Sequence, residues 1–198
     1  YDELPCVNLV EVPFFEKLNK AKKIKLAKIA CLDKQDMDAG LAEFKGFLLN
    51  HHNITHFACH ATYDDNIPSL SRITITNDFP ISLSDFDSLD IELEGNPLVV
   101  LNACETGNLN ALSASHFVSS FLQAGARGVI ATECVIPDAF AADFAIEFYE
   151  NHFLKGESLG ISLLKTRRYF QKTHSNLSGL LYSMYASPNI QIKSMKGM

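Results

Sequence analysis

Apolar residues in this chain recur with two different periods, and the periods alternate along its length. Residues 23–31 (KIKLAKIAC) alternate charged and apolar side chains, the period of two expected of a strand with one face wet. From residue 36 to 49 the spacing changes. Met37, Leu41, Phe44, Phe47 and Leu48 fall on third and fourth neighbours, which predicts an amphipathic helix. A polar break at 50–53 precedes residues 54–58, a short and nearly all-apolar run suited to a strand buried on both faces of a parallel sheet.

Residues 72–83 (RITITNDFPISL) hold two β-branched runs around Asn77, Asp78, Phe79 and Pro80, and predict a β-hairpin. Ser84 is expected to cap a short turn, with Asp87 as the acidic half of a capping box. Residues 98–103 predict a second buried strand, 113–124 an amphipathic helix stopped by Gly125, and 128–132 a third apolar strand. Pro137 suits a first helical position, where its missing N–H costs nothing. A helix to about residue 153 carries Phe140, Phe144 and Phe148 on one side, Gly156 breaks it, and residues 158–171 predict another. Residues 190–192 (IQI) are expected to form the last strand. The alternation predicts an α/β fold: a doubly wound, mostly parallel sheet flanked by helices, with the hairpin near residues 72–83 inserted in it. No repeat or linker divides the chain, so residues 1–198 are expected to form a single domain.

Composition narrows the function classes. The 198 residues are 47% hydrophobic and 20% charged, as in an ordinary globular protein. A net charge of -6 argues against direct nucleic-acid binding held by electrostatics. No apolar run reaches membrane-spanning length and no signal peptide is evident, so no membrane partner is expected. Five cysteines with no CxxC pair give zinc little support and suit a reducing, cytoplasmic setting. No glycine-rich loop follows a strand, so no nucleotide cofactor is expected; Gly125 to Gly128 precedes one, the wrong context for a phosphate cradle. The start at Tyr1 is expected of a domain excised from, or processed out of, a longer chain.

Two of the apolar strands run straight into reactive side chains. One reads ITHFACH and ends at His60; the other reads LVVLNAC and ends at Cys104. Chemistry in open parallel sheets sits beyond the carboxyl ends of the strands. An imidazole and a thiol delivered there are the minimal parts of a cysteine nucleophile. Loop-forming Glu105, Thr106, Gly107 and Asn108 follow Cys104, so its sulfur is expected at the strand's exit. His56, Ala58 and His60 share one face of their strand, and His60 is the one level with Cys104. His56 reads instead as a core histidine bonded to backbone. Asp64 and Asp65 either orient the imidazole or are simply solvated, and His116, His152 and His174 have no consistent partner.

With these residues in place the chain resembles a known family. HFACH at 56–60, VLNACETG at 100–107, GARGVIAT at 125–132, Pro137 with Asp138, Phe148 with Tyr149, Gly156 and the helix at 163–168 are similar to the CHAT domain, a caspase- and separase-like family of clan CD peptidases. The likeness spans roughly residues 24–192. It implies a caspase-like fold and a cysteine endopeptidase with a His60/Cys104 dyad, Cys104 the nucleophile and His60 the general acid and base. It also implies an oxyanion hole made by the backbone N–H groups of Cys104 and Ala61, where the family most often has glycine at the second position. In relatives an acidic side chain after the third strand can line the specificity pocket, which makes Glu133 and Asp138 candidate substrate-binding residues here. The bland alternative for Asp138 is a carboxylate favoured at a helix N-terminus. The implied partners are a protein substrate and a sensor or TPR-type domain, in a bacterial antiviral defence or CRISPR-associated setting. The alternative is a catalytically idle scaffold or oligomerisation domain of the same fold.

Overall fold

A computed structural model describes residues 4–29, 32–33, 35–64, 66–76, 79–105, 115–134 and 136–192. Its elements in chain order are α1 (Val12–Lys20, entered through a π-type turn Val7–Glu11), α2 (Met37–Leu48), β1 (Ile54–Thr62), β2 (Arg72–Ile75), β3 (Phe79–Ser82) and α3 (Leu83–Ser88). There follow β4 (Leu98–Glu105), α4 (Ser115–Gln123), β5 (Gly128–Thr132), α5 (Asp138–Tyr149), a π-type turn Glu150–Leu154, α6 (Leu159–His174) and β6 (Tyr182–Ala186). The fold is α/β, with one six-stranded mixed sheet in the order β3-β2-β1-β4-β5-β6. The central strands β1, β4 and β5 run parallel, and the β2–β3 hairpin extends the sheet antiparallel beside β1. This is the architecture of a caspase-like fold. The described residues form two compact units, one within 29–135 together with 182–185 and one within 4–28, 136–181 and 186–192.

The first unit holds the sheet. One sheet face presents Phe57, Cys59, Ala61, Ile73, Ile81, Val99, Leu101 and Val129 to a continuous core that includes Phe44 and Leu48 of α2, Phe86 of α3 and Phe117 and Phe121 of α4. Those helix residues recur at third and fourth neighbours, so each helix buries one stripe. Phe121 anchors the layer against Phe86 (ring centroids 4.7 Å apart) and Phe57 (5.3 Å). Such pairs contribute about 0.5–1.5 kcal/mol each beyond area burial. Asp36 caps α2 by accepting the Ala39 N–H at 3.0 Å. Gly40 lets that helix close on the sheet: a Cβ there would meet the Phe79 ring and sit 2.8 Å from the Asp33 carbonyl oxygen.

The second unit is helical. Phe140 and Phe144 of α5 pack on Phe170 of α6 (4.9 and 5.9 Å), and Phe15 of α1 meets the fully buried Tyr149 at 5.1 Å. Gly156, at φ +69°, breaks the chain between the π-type turn and α6, as expected of a glycine.

Several expected elements move. Residues 23–29 form no strand, though exposure alternates through residue 27, because their partners are helical: the Leu26 N–H goes to Asn19 Oδ1 and Lys28 pairs with Glu16 at 2.6 Å. The rest of that expected strand, with Cys31, lies outside the described residues, as do the Asn77–Asp78 turn, Asp65 and the 106–108 loop. Residues 190–192 form no strand either. The Ile190 carbonyl accepts the Leu159 N–H at 2.8 Å and so satisfies an otherwise unpaired donor at the start of α6. Among the described residues the last strand is β6, and the hydrophobic pattern predicts neither it nor α1. Ser82 and Asp85, not Ser84 and Asp87, form the capping box of α3. β3 runs directly into the helix, so the extended residue preceding it is Ser82. Asp87 instead accepts the Ser120 hydroxyl at 2.7 Å and ties α3 to α4.

Candidate active site

β1 alternates strictly in burial, with Thr55, Phe57, Cys59 and Ala61 buried and His56, Ala58, His60 and Thr62 half-buried. The apolar set faces the helix-covered core, so the histidine set lies on the opposite face of the sheet. The parallel β1–β4 ladder pairs His56 with Val100, Ala58 with Asn102 and His60 with Cys104. The two reactive positions are thus direct neighbours on adjacent central strands, at the carboxyl end of both. Both strands run further than their apolar runs suggest, since β1 continues to Thr62 and β4 to Glu105. Ala61 therefore lies in extended backbone, paired to Ile73 on one side and Glu105 on the other.

Below Cys104 the ladder is fixed by a polar contact. Asn102 is 4% exposed, and its Oδ1 accepts the hydroxyl of the buried Tyr182 at 2.5 Å. Tyr182 stands on β6, on the far side of β5, so this bond spans one intervening strand of the sheet. Beyond the end of β5, Glu133 accepts the Tyr185 hydroxyl at 2.6 Å. Burial, that hydrogen bond and the Glu133 charge push Tyr185 up to about 12. Glu133 is half-exposed, a carboxylate held in place at the same sheet edge as His60. Neither tyrosine was singled out in the sequence. The signal was the aromatic run YSMY at 182–185, a strand former obscured by its polar flanks.

Other expected residues have local employment. Asp138 begins α5 and its carboxylate accepts the Cys6 N–H at 2.8 Å. Burial, followed by the hydrogen bond and charge of Asp138, pushes the Cys6 thiol up. Asp64 closes a turn by accepting the N–H groups of Asn66 and Ile67 at 3.0 and 2.8 Å. His116 is half-buried on α4, and exposed His174 ends α6. His152 is fully buried, with Nδ1 3.0 Å from the Glu157 carbonyl oxygen. Cys59 is buried within the core.

A six-stranded mixed sheet with a parallel centre, flanked by helices, places the chain among α/β proteins of caspase-like fold. The family profile of the CHAT domain matches residues 34–187, and the chain belongs to that family. It is also 30% identical over 145 residues to a protein of Vitiosangium sp. (strain GDMCC 1.1324) named a probable protease. That match covers 71% of this chain, and the chain spans 19% of the relative's length. Among the described residues no helix is long and apolar enough to cross a membrane.

Proposed function

We propose that this domain is a cysteine endopeptidase acting on a protein substrate through a His60/Cys104 dyad. The observation that carries the reading is the β1–β4 register, which makes His60 and Cys104 neighbours at the carboxyl edge of the sheet. Membership of the CHAT family and the relative named a probable protease support it. In this reading the Cys104 thiolate attacks the scissile carbonyl carbon and an S–C bond forms. The C–N bond then breaks, and the His60 imidazolium gives its proton to the leaving amine. Water, losing a proton to His60, attacks the thioester, releases the acid and returns the thiolate. Backbone N–H groups at Cys104 and Ala61 hold the oxyanion. Glu133, braced by Tyr185, contributes negative charge to substrate choice, and Asp138 is its less favoured companion because its carboxylate already serves Cys6. A sensor or TPR-type partner, cytoplasmic location and a role in bacterial antiviral defence, CRISPR-associated systems included, extend the same reading.

The test is mapped iodoacetamide labelling of the five cysteines near neutral pH, about 1.5 units below the ordinary thiol value. Fast labelling of Cys104 in the wild type, lost in His60→Ala, is the expected result. Labelling of Cys104 as slow as that of core Cys59, and indifferent to His60→Ala, would overturn the dyad and favour an idle scaffold.

A further inference from the structure

The face that carries His60 continues past it onto the hairpin. The ladders align His60, Thr74 and Pro80 in one row, and Thr62, Arg72 and Ser82 in the next. Directly paired residues share a face, so Arg72 stands one row beyond Thr74 on the His60 side. Around it lies a cleft of about 450 Å³, lined among others by Thr62, Tyr63, Asp64, Leu70, Arg72 and Asp85. That volume is within the ligand-pocket range of about 300–1,000 Å³.

The charges in this cleft are unequal in what they have left to offer. Asp64 already accepts two backbone N–H groups, and Asp85 accepts the Ser82 N–H at 2.9 Å and its hydroxyl at 2.6 Å. Arg72 is exposed, and among the described residues it makes no ion pair. Its guanidinium presents a planar fork of donors that matches a carboxylate. Beside it Leu70 is 56% exposed, and Ile67 on the same loop 51%. An uncommitted cation next to bare aliphatic side chains is complementary to an acidic residue with an apolar neighbour. The remaining charge of Asp64 and Asp85 disfavours a run of acids, so the complement is a single acidic residue.

We propose that this cleft is a substrate subsite that takes a polypeptide segment, one acidic side chain against Arg72 and an adjacent apolar side chain on Leu70. The choice of polypeptide as occupant rests on the endopeptidase reading above. It differs from the Glu133 region in position, on the hairpin side of β1, and in charge preference. Substrate selection is then made on both flanks of the His60–Cys104 pair, with opposite signs.

Binding separates the subsite from the chemistry. An immobilised peptide library, with Asp, Asn or Lys beside Leu or Ser, is presented to the Cys104→Ala chain. Expected is at least roughly tenfold tighter binding of Asp–Leu peptides than of their Asn–Leu counterparts, the scale of a charge-assisted hydrogen bond. Adding Arg72→Gln flattens that preference, and adding Arg72→Glu turns it toward Lys. No Asp preference, or one that survives Arg72→Glu, overturns the subsite. Wild-type digestion of the same library tests the endopeptidase reading independently. An Arg72-dependent preference without Cys104-dependent cleavage keeps the subsite as a peptide-binding cleft and removes the protease. Cleavage with no Arg72-dependent preference does the reverse.

Discussion

His60 and His152 are the same side chain placed in two differently built regions. His60 sits half-buried at the carboxyl edge of the sheet, in register with Cys104 on the next strand. His152 lies in the helical unit with no exposed surface, its Nδ1 bonded to the Glu157 carbonyl and its ring stacked on Phe148 at 5.7 Å and 10°. Among the described residues its Nε2 has no hydrogen-bond partner, which suits an unprotonated nitrogen. Burial holds His152 below its ordinary value of 6.5, against the opposing effect of the Glu157 bond. One ring stands on a strand edge in register with Cys104; the other is enclosed by a core that disfavours its charged form. The residue type is silent on which of these it will be.

The sharpest way to break that contrast is to remove each ring in turn. His60→Ala or Cys104→Ala is expected to lower peptide cleavage by roughly 10³-fold or more, measured as initial rate on a digested library. His152→Phe, which refills the space, is expected to leave that rate within a few-fold. A comparable loss in His152→Phe would erase the distinction. Stability should run the other way. His152→Ala opens a cavity against Phe148 and removes the shorter of two hydrogen bonds to the Glu157 carbonyl, at an expected cost of about 2–4 kcal/mol in urea unfolding. His60→Ala should cost less than that.

The two tyrosines of β6 refine the picture at the site. Tyr182→Phe removes the hydroxyl that reaches Asn102, two residues before Cys104, and is expected to cost about 1–2 kcal/mol. It should also slow Cys104 labelling several-fold if that bond positions the strand end; unchanged labelling would confine it to stability.

pH isolates the contribution of His152. Because folding lowers the His152 value, the unfolded chain takes up its proton first as pH falls below about 6.5. Stability from this group is therefore constant above that value, declines through the window beneath it, and levels off below the folded-state value. The slope is at most about 1.4 kcal/mol per pH unit. His152→Phe should flatten that part of the urea-midpoint profile, and an unchanged profile would assign it elsewhere. The smallest effect is spectroscopic. Glu133→Gln should bring the Tyr185 phenol down from about 12 toward its ordinary value of 10, read by ultraviolet titration, because one of its raising causes is the Glu133 charge.

The strands around the site were legible because burial on both faces demands a run of apolar residues, and 98–101 and 128–132 are such runs. The hairpin was legible from two β-branched stretches around Asn77 and Asp78. β6 was not, because a five-residue edge strand with mixed exposure carries no clear period. The strand expected at 23–31 failed over its described residues, 23–29, for the converse reason. Alternation is satisfied equally by an irregular segment lying along a helix, and the Asn19 and Glu16 side chains supply its partners. Ser82 and Asp85 displaced the expected cap because the junction of β3 and α3, not residue preference, decides where extended backbone ends.

Alternating elements, a histidine and a cysteine closing two apolar strands, and the CHAT-like motifs were determined by the sequence itself, since period and local residue type are properties of neighbours along the chain. That His60 falls in register with Cys104, that Tyr182 reaches Asn102 across β5, that Arg72 stands one row beyond His60 with no ion pair among the described residues, and that His152 is sealed in a core were decided by tertiary structure alone. Each depends on which strands pair, in what register, and on what covers them. Those are outcomes of packing the whole chain at once, which no window of sequence contains.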